Sequence, residues 1–377
     1  MRSYFVPLLL VATLLRGAGG DAACAQEGAT PVADADLQKL VEMHSFMTRR
    51  NEQYYKITTK GGIDEAKYIH IGGIDQYISI RGEDRNNPVI LFLHGGPGDA
   101  TNPWGYLAFR SWLQYFTVVQ WDQRGAGRTL RQSGPEIAPT ITVERMTQDG
   151  IEVAEYLRKS LQKDKLILVA HSWGSVLGLR YAQTHPAAVS ELVLTLVATG
   201  ADAEHALLTR GLGKIFPEAF ERFLAELPAD ERDGNLAAAY NRLLESPDPA
   251  VRERAARAWT DWETAIIPAP PRSVRRFEDP EFRMGFARTV THYWGNDCFL
   301  GEGNDEGVVL RDAPLLKGIP GTLVQGSLDF GNLLGTVWRL HHAWPGSELT
   351  VVDEVGHDTG APGVAEALVA ATDKYAP

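Results

Sequence analysis

The run Leu166-Ile167-Leu168-Val169-Ala170-His171-Ser172-Trp173-Gly174-Ser175 constrains this 377-residue chain more than any other segment. Its five leading apolar residues predict a short strand buried on both faces. The stretch from Ser172 to about Gln183 has helical character and follows without a linker. A strand, a sharp turn carrying a serine, and a helix together expose that hydroxyl at the end of a sheet. The usual pattern is G-x-S-x-G, and here Ala170 takes the place of the first glycine.

Other segments repeat the strand-helix alternation. Tyr68 to Ile71 and Gln76 to Ile80 alternate as strands around Gly72-Gly73, which predicts a hairpin. Continuous apolar runs at Pro88–Leu93 and Phe116–Trp121 predict further buried strands. Thr142–Leu161 has helical periodicity, and Leu192–Leu196 reads as the next strand. From about Gly200 to Leu310 the strand signal fades. Ala219–Leu227, Asn235–Leu244 and Ala250–Thr264 read as helices, broken by Ile267-Pro268-Ala269-Pro270-Pro271. Strands return at Pro320–Gln325 and Glu348–Val352, and a helix closes the chain from Gly363. The expected class is α/β: a mainly parallel sheet with helices on both faces and an inserted helical cap. The expected division is a signal peptide at 1–25, a leader at 26–60, core at 61–199, cap at 200–310 and core again at 311–377.

The N-terminus predicts export. Arg2, the apolar Tyr4–Leu15 run and Ala23-Cys24-Ala25 make a signal peptide cleaved after Ala25, giving a periplasmic or secreted protein. The run is too short to span a bilayer comfortably. Once Cys24 is removed, Cys298 has no partner and reads as a structural thiol. A formal net charge of −11 argues against nucleic acid as a partner. A small substrate is expected, and no metal or cofactor spacing is present.

Four stretches fall where predicted strands end. His94-Gly95-Gly96-Pro97-Gly98 is a glycine loop whose backbone N–H groups can approach a ligand. Trp121-Asp122-Gln123-Arg124-Gly125-Ala126-Gly127-Arg128-Thr129 carries charges, read as an Asp122–Arg124 ion pair bracing the loops. Gly326-Ser327-Leu328-Asp329 and Val355-Gly356-His357-Asp358 complete the set. Ser172, Asp329 and His357 occur in the order nucleophile, acid, histidine that α/β-hydrolases use. The amides of Trp173 and Gly96 are the candidate oxyanion donors. His171 is read as packing, since neighbours at such a turn point apart.

These motifs resemble the proline iminopeptidase (prolyl aminopeptidase) family of α/β-hydrolases. The HGGPG loop, the DQRG-like run from Trp121 to Thr129, the Ser172-Trp173-Gly174-Ser175 elbow and Tyr181-Ala182-Gln183-Thr184-His185-Pro186 all match it. The likeness spans about Lys67 to the C-terminus and is weaker in the cap. It implies a serine peptidase removing N-terminal proline, with cap glutamates holding the free amine. Trp259-Thr260-Asp261-Trp262-Glu263 resembles the family's W-x-x-W-E stretch, so Glu263 is the candidate amine ligand. The second glutamate falls at Val290. Ala170-His171 replaces Gly-Gly, and Gly326-Ser327-Leu328-Asp329 replaces a G-R-x-D loop. An esterase, lactonase or amidase on the same machinery therefore stands as the alternative, with a non-catalytic ligand-binding relative behind it.

Overall fold

Gly72 and Gly73 both take positive φ, +57° and +79°, the backbone a two-residue hairpin turn requires. They join β1 (Ile63–Ile71) to β2 (Ile74–Gly82) in an antiparallel ribbon. The computed structural model describes residues 46, 49–50, 53–102, 105, 108–267, 275–301 and 307–377. The signal-peptide expectation, most of the leader and the Pro268-Ala269-Pro270-Pro271 break lie outside the described residues.

The remaining strands are β3 (Val89–Leu93), β4 (Thr117–Trp121), β5 (Leu166–His171), β6 (Val189–Thr195), β7 (Gly321–Gly326) and β8 (Ser347–Val352). The sheet order is β1-β2-β4-β3-β5-β6-β7-β8, parallel from β4 through β8. Every residue of β3, β4 and β7 is buried, as continuous apolar runs demand of strands covered on both faces. β8, at the edge, is largely exposed.

Helices before β6 are α1 (Gly127–Ser133), α2 (Val143–Leu161) and α3 (Gly174–Thr184). Thr142 caps α2 by accepting from the Arg145 amide. Between β6 and β7 run α4 (Asp202–Thr209), α5 (Pro217–Ala225), α6 (Leu236–Leu244), α7 (Pro249–Ile266), α8 (Pro280–Gly295) and α9 (Val308–Arg311). α10 (Leu334–Ala343) follows β7, and α11 (Pro362–Asp373) follows β8. On α8, Phe286, Ala287, Thr289, Val290, Thr291, Tyr293 and Trp294 are buried, while Glu281, Gly285, Arg288 and His292 are not. Thr289 reaches the core by donating to the Gly125 carbonyl at 3.2 Å.

The charged loop after β4 does brace the molecule, but Asp122 and Arg124 do not pair with each other. Asp122 accepts from Asn102 Nδ2 at 2.6 Å and from the Arg128 amide at 2.9 Å. Arg124 instead reaches Asp149 on α2 with two bonds, 2.8 and 3.2 Å, and donates to the Gly72 carbonyl and Thr140. The guanidinium and carboxylate are 2% and 0% exposed. Their partners are distant in sequence, so spacing alone could not separate a near pair from this arrangement. Asp149→Ala strands a buried guanidinium, and the expected cost is about 3–5 kcal/mol. Urea unfolding checks it; a loss below about 1 kcal/mol would mean that water or Glu152 takes over.

Candidate active site

Ser172 sits in the left-handed region at φ +53°, between the last residue of β5 and the start of α3. That backbone costs energy for a non-glycine residue and persists only where the surroundings enforce it. Here its amide donates to the Thr195 carbonyl at 2.9 Å, and its carbonyl accepts from Ser175 at 2.8 Å. Gly174 has no room for a side chain: a Cβ would stand 2.2 Å from the Leu93 carbonyl oxygen. Ala170 is tolerated at the first elbow position because it faces Gly178 of α3, where an added Cβ would lie 3.3 Å from its own.

The loops after β7 and β8 bring two partners to Ser172. His357 Nε2 lies 3.0 Å from Ser172 Oγ, and His357 Nδ1 lies 2.8 Å from Asp329 Oδ2. Asp329 is buried, and two further donors fix its carboxylate: the Asn332 amide at 2.9 Å and Gln325 Nε2 at 3.1 Å. Burial pushes the Asp329 carboxyl up, but the His357 charge and the donated hydrogen bonds outweigh it, and the net direction is down. Asn332 also donates to the Leu196 carbonyl, and Gln325 accepts from the Val197 amide. The acid loop is thereby tied to the end of β6. Gly331 closes the turn; a Cβ there would press on Asp329 Oδ1 at 3.2 Å and His357 Nδ1 at 3.3 Å.

The glycine loop after β3 lies against the serine. A Cβ on Gly95 would fall 2.9 Å from Ser172 Cβ, and one on Gly96, at φ +111°, 2.6 Å from the Gly98 nitrogen. His94 is buried and serves as a brace: Nδ1 donates to the Gly95 carbonyl, and Nε2 accepts from the Gln123 amide. Burial lowers its pKa, consistent with that neutral tautomer. Gly96, Trp173, Ser172 and His357 line one cavity.

Glu263 lines the same cavity. On α7, Trp259, Trp262, Glu263 and Ile266 share one buried face at helical spacing. Trp259 and Trp262 pack on Phe223, which turns that face inward and leaves Glu263 8% exposed at the cavity. Val290 is fully buried in the core, and the described lining does not include it.

Two features escape a sequence reading. Glu204 and His205, at the start of α4, line the cavity although no motif marks them. His171 packs, as expected, but not away from the site: its ring centroid lies 5.6 Å from that of His357. Burial, then the His357 charge, push His171 down to about 3, so it is neutral. Cys298 is a buried free thiol, 2.9 Å from His205 Nε2.

Residues 88–360 match the family described as alpha/beta hydrolase fold. A probable proline iminopeptidase of Streptomyces coelicolor is 67% identical over 297 residues, 78% of this chain and 90% of that protein. The chain belongs to the proline iminopeptidase family of α/β-hydrolases. A proline iminopeptidase of Arabidopsis thaliana is 35% identical over 350 residues, 92% of this chain and 88% of that one. The solved structure of a proline iminopeptidase-related protein from Thermus thermophilus shares the fold, with a TM-score of 0.56 and 20% identity over 84% of this chain and 99% of that one. As a member of this family the protein is a serine hydrolase. No helix among the described residues is long and apolar enough to cross a membrane.

Proposed function

We propose that this serine hydrolase is an aminopeptidase releasing N-terminal proline, or another small residue, from peptides through an acyl-enzyme. Ser172 Oγ attacks the carbonyl carbon as His357 Nε2 takes its proton, and Asp329 holds the imidazole and offsets its charge. The Trp173 and Gly96 amides stabilise the oxyanion, each such donor contributing about 3–4 kcal/mol. The C–N bond breaks as His357 returns the proton to the leaving amine. Water then attacks the ester by the same relay and frees Ser172. The observation that carries this reading is the Ser172–His357–Asp329 chain, at 3.0 and 2.8 Å, opening on a cavity that holds Glu263. Residues 200–310 act as a cap that supplies Glu263, and residues 1–25 direct export.

Proline β-naphthylamide, its N-acetyl derivative and p-nitrophenyl acetate test the reading together. The free-amine amide is expected to have the highest kcat/KM. Equal turnover of the blocked amide would contradict an aminopeptidase. The buried Val290 keeps the esterase reading as the second choice, since it removes one charge that would select an amine. Glu263→Gln is expected to raise KM for the free-amine amide by about tenfold, the scale of one charge-assisted hydrogen bond, and to spare the ester. An unchanged KM would remove Glu263 from the amine site. Mass spectrometry of the mature N-terminus is expected to begin at Gln26; an intact Met1 would argue against cleavage.

A further inference from the structure

The cavity beside Ser172 is lined by a second carboxylate, Glu204, besides Glu263. Its described lining comprises Glu204, Glu263, His205 and His357 among apolar and neutral groups, with no lysine or arginine. His205 supplies no positive charge, because burial lowers it to about 4. Its neighbour Cys298 is a neutral thiol, kept protonated by burial.

Glu204 is held in place by the chain. Its Oε1 accepts from Thr199 Oγ1 at 2.9 Å, and its Oε2 accepts from the Thr199 amide at 3.1 Å and the Gly200 amide at 2.8 Å. These bonds fix the carboxylate at the first turn of α4, which in turn is tied to the Glu263 helix by Trp262 Nε1 donating to the Leu208 carbonyl at 3.0 Å. Burial raises the Glu204 carboxyl, and the Thr199 and Gly200 hydrogen bonds only partly offset it. Burial thus penalises the charged form of Glu204, and a cation entering the cavity would offset that penalty.

We infer that Glu204 is the second carboxylate of the amine subsite, acting with Glu263 on the protonated N-terminus of the substrate. This rests on the aminopeptidase reading and names the residue that takes the part vacated at Val290. The second charge comes from α4, on the chain just after β6, and not from α8. An α-amino group with a pKa of about 8 enters protonated at neutral pH. Since the backbone already occupies much of the acceptor capacity of Glu204, it acts chiefly by charge and selects substrate through KM. It is a specificity-determining residue and takes no part in the proton relay.

Glu204→Gln and Glu204→Asp, assayed with proline β-naphthylamide and p-nitrophenyl acetate, test the inference. Glu204→Gln is expected to raise KM for the free-amine amide by about tenfold or more, as loss of a buried charge partner does, with ester turnover within about twofold of wild type. Glu204→Asp keeps the charge and is expected to recover most of the loss. Equal losses on both substrates would mark Glu204 as a support for α4 alone and overturn the inference. A second measurement leaves Glu204 intact. Inhibition by pyrrolidinium is compared with inhibition by neutral N-formylpyrrolidine, in wild type and in Glu263→Gln. Two carboxylates predict that Glu263→Gln still prefers the cation; loss of all preference would leave Glu263 as the sole charge and refute the inference. Failure of the wild type to cleave the free-amine amide would instead defeat the aminopeptidase reading beneath it.

Discussion

Ser172→Ala is expected to lower kcat by about 10⁵–10⁶, leaving the residual rate that oxyanion donors and substrate binding supply. The size follows from what the substitution removes. The oxygen 3.0 Å from His357 Nε2 is the only nucleophile placed on the relay among the described residues. Ser175 is buried on α3, behind the turn. The variant should fold normally, because the two backbone bonds that fix the elbow, to Thr195 and from Ser175, do not involve the side chain. Active-site titration and steady-state kinetics on the same preparation measure the loss, and circular dichroism and urea unfolding check the fold. Retention of more than about 1% of wild-type kcat would remove Ser172 from the nucleophile role.

Asp329→Asn should come second, at about 10⁴ in kcat. Asp329 accepts from His357 Nδ1, from the Asn332 amide and from Gln325 Nε2. Asparagine must turn an NH₂ group toward one of these donors. If it faces His357, the imidazole changes tautomer, Nε2 carries the proton, and it can no longer take one from Ser172. The same change alters stability against pH. The folded pKa of Asp329 lies below its unfolded value of about 3.9. Its contribution is therefore fully present above that unfolded value and is lost as pH falls through the folded one. Wild type should lose stability over that acidic window more steeply than Asp329→Asn, read as urea midpoints from pH 6 down to pH 3. Parallel curves would mean that Asp329 is not the shifted group.

Much of the core was legible in the chain because its signals are local. The buried strands announce themselves as apolar runs, the hairpin as Gly72-Gly73, and α2 by the helical periodicity of Thr142–Leu161. Ser172, Asp329 and His357 could be proposed together because each follows a strand directly, in an order that chemistry restricts. Glu263 is visible only through the resemblance of Trp259-Thr260-Asp261-Trp262-Glu263 to the family's W-x-x-W-E stretch. What stayed hidden depends on contacts made across the fold. Arg124 meets Asp149 from 25 residues away, and a nearer acid looked the better partner. Glu204 reads as an ordinary acid opening a helix, and only the folded chain sets it on the cavity that Ser172 also lines. The loop after β8 places the His357 ring 5.6 Å from that of His171, a long-range contact that chain position does not reveal.

Activation of Ser172 by His357 and Asp329 follows from hydrogen bonds of 3.0 and 2.8 Å and underlies the proposed chemistry. The most direct measurement is peptide mapping by mass spectrometry after reaction with a fluorophosphonate. One adduct per chain is expected, on Ser172, formed at neutral pH and suppressed in His357→Ala. An adduct on another serine, or labelling of Ser172 that is as fast without His357, would contradict it.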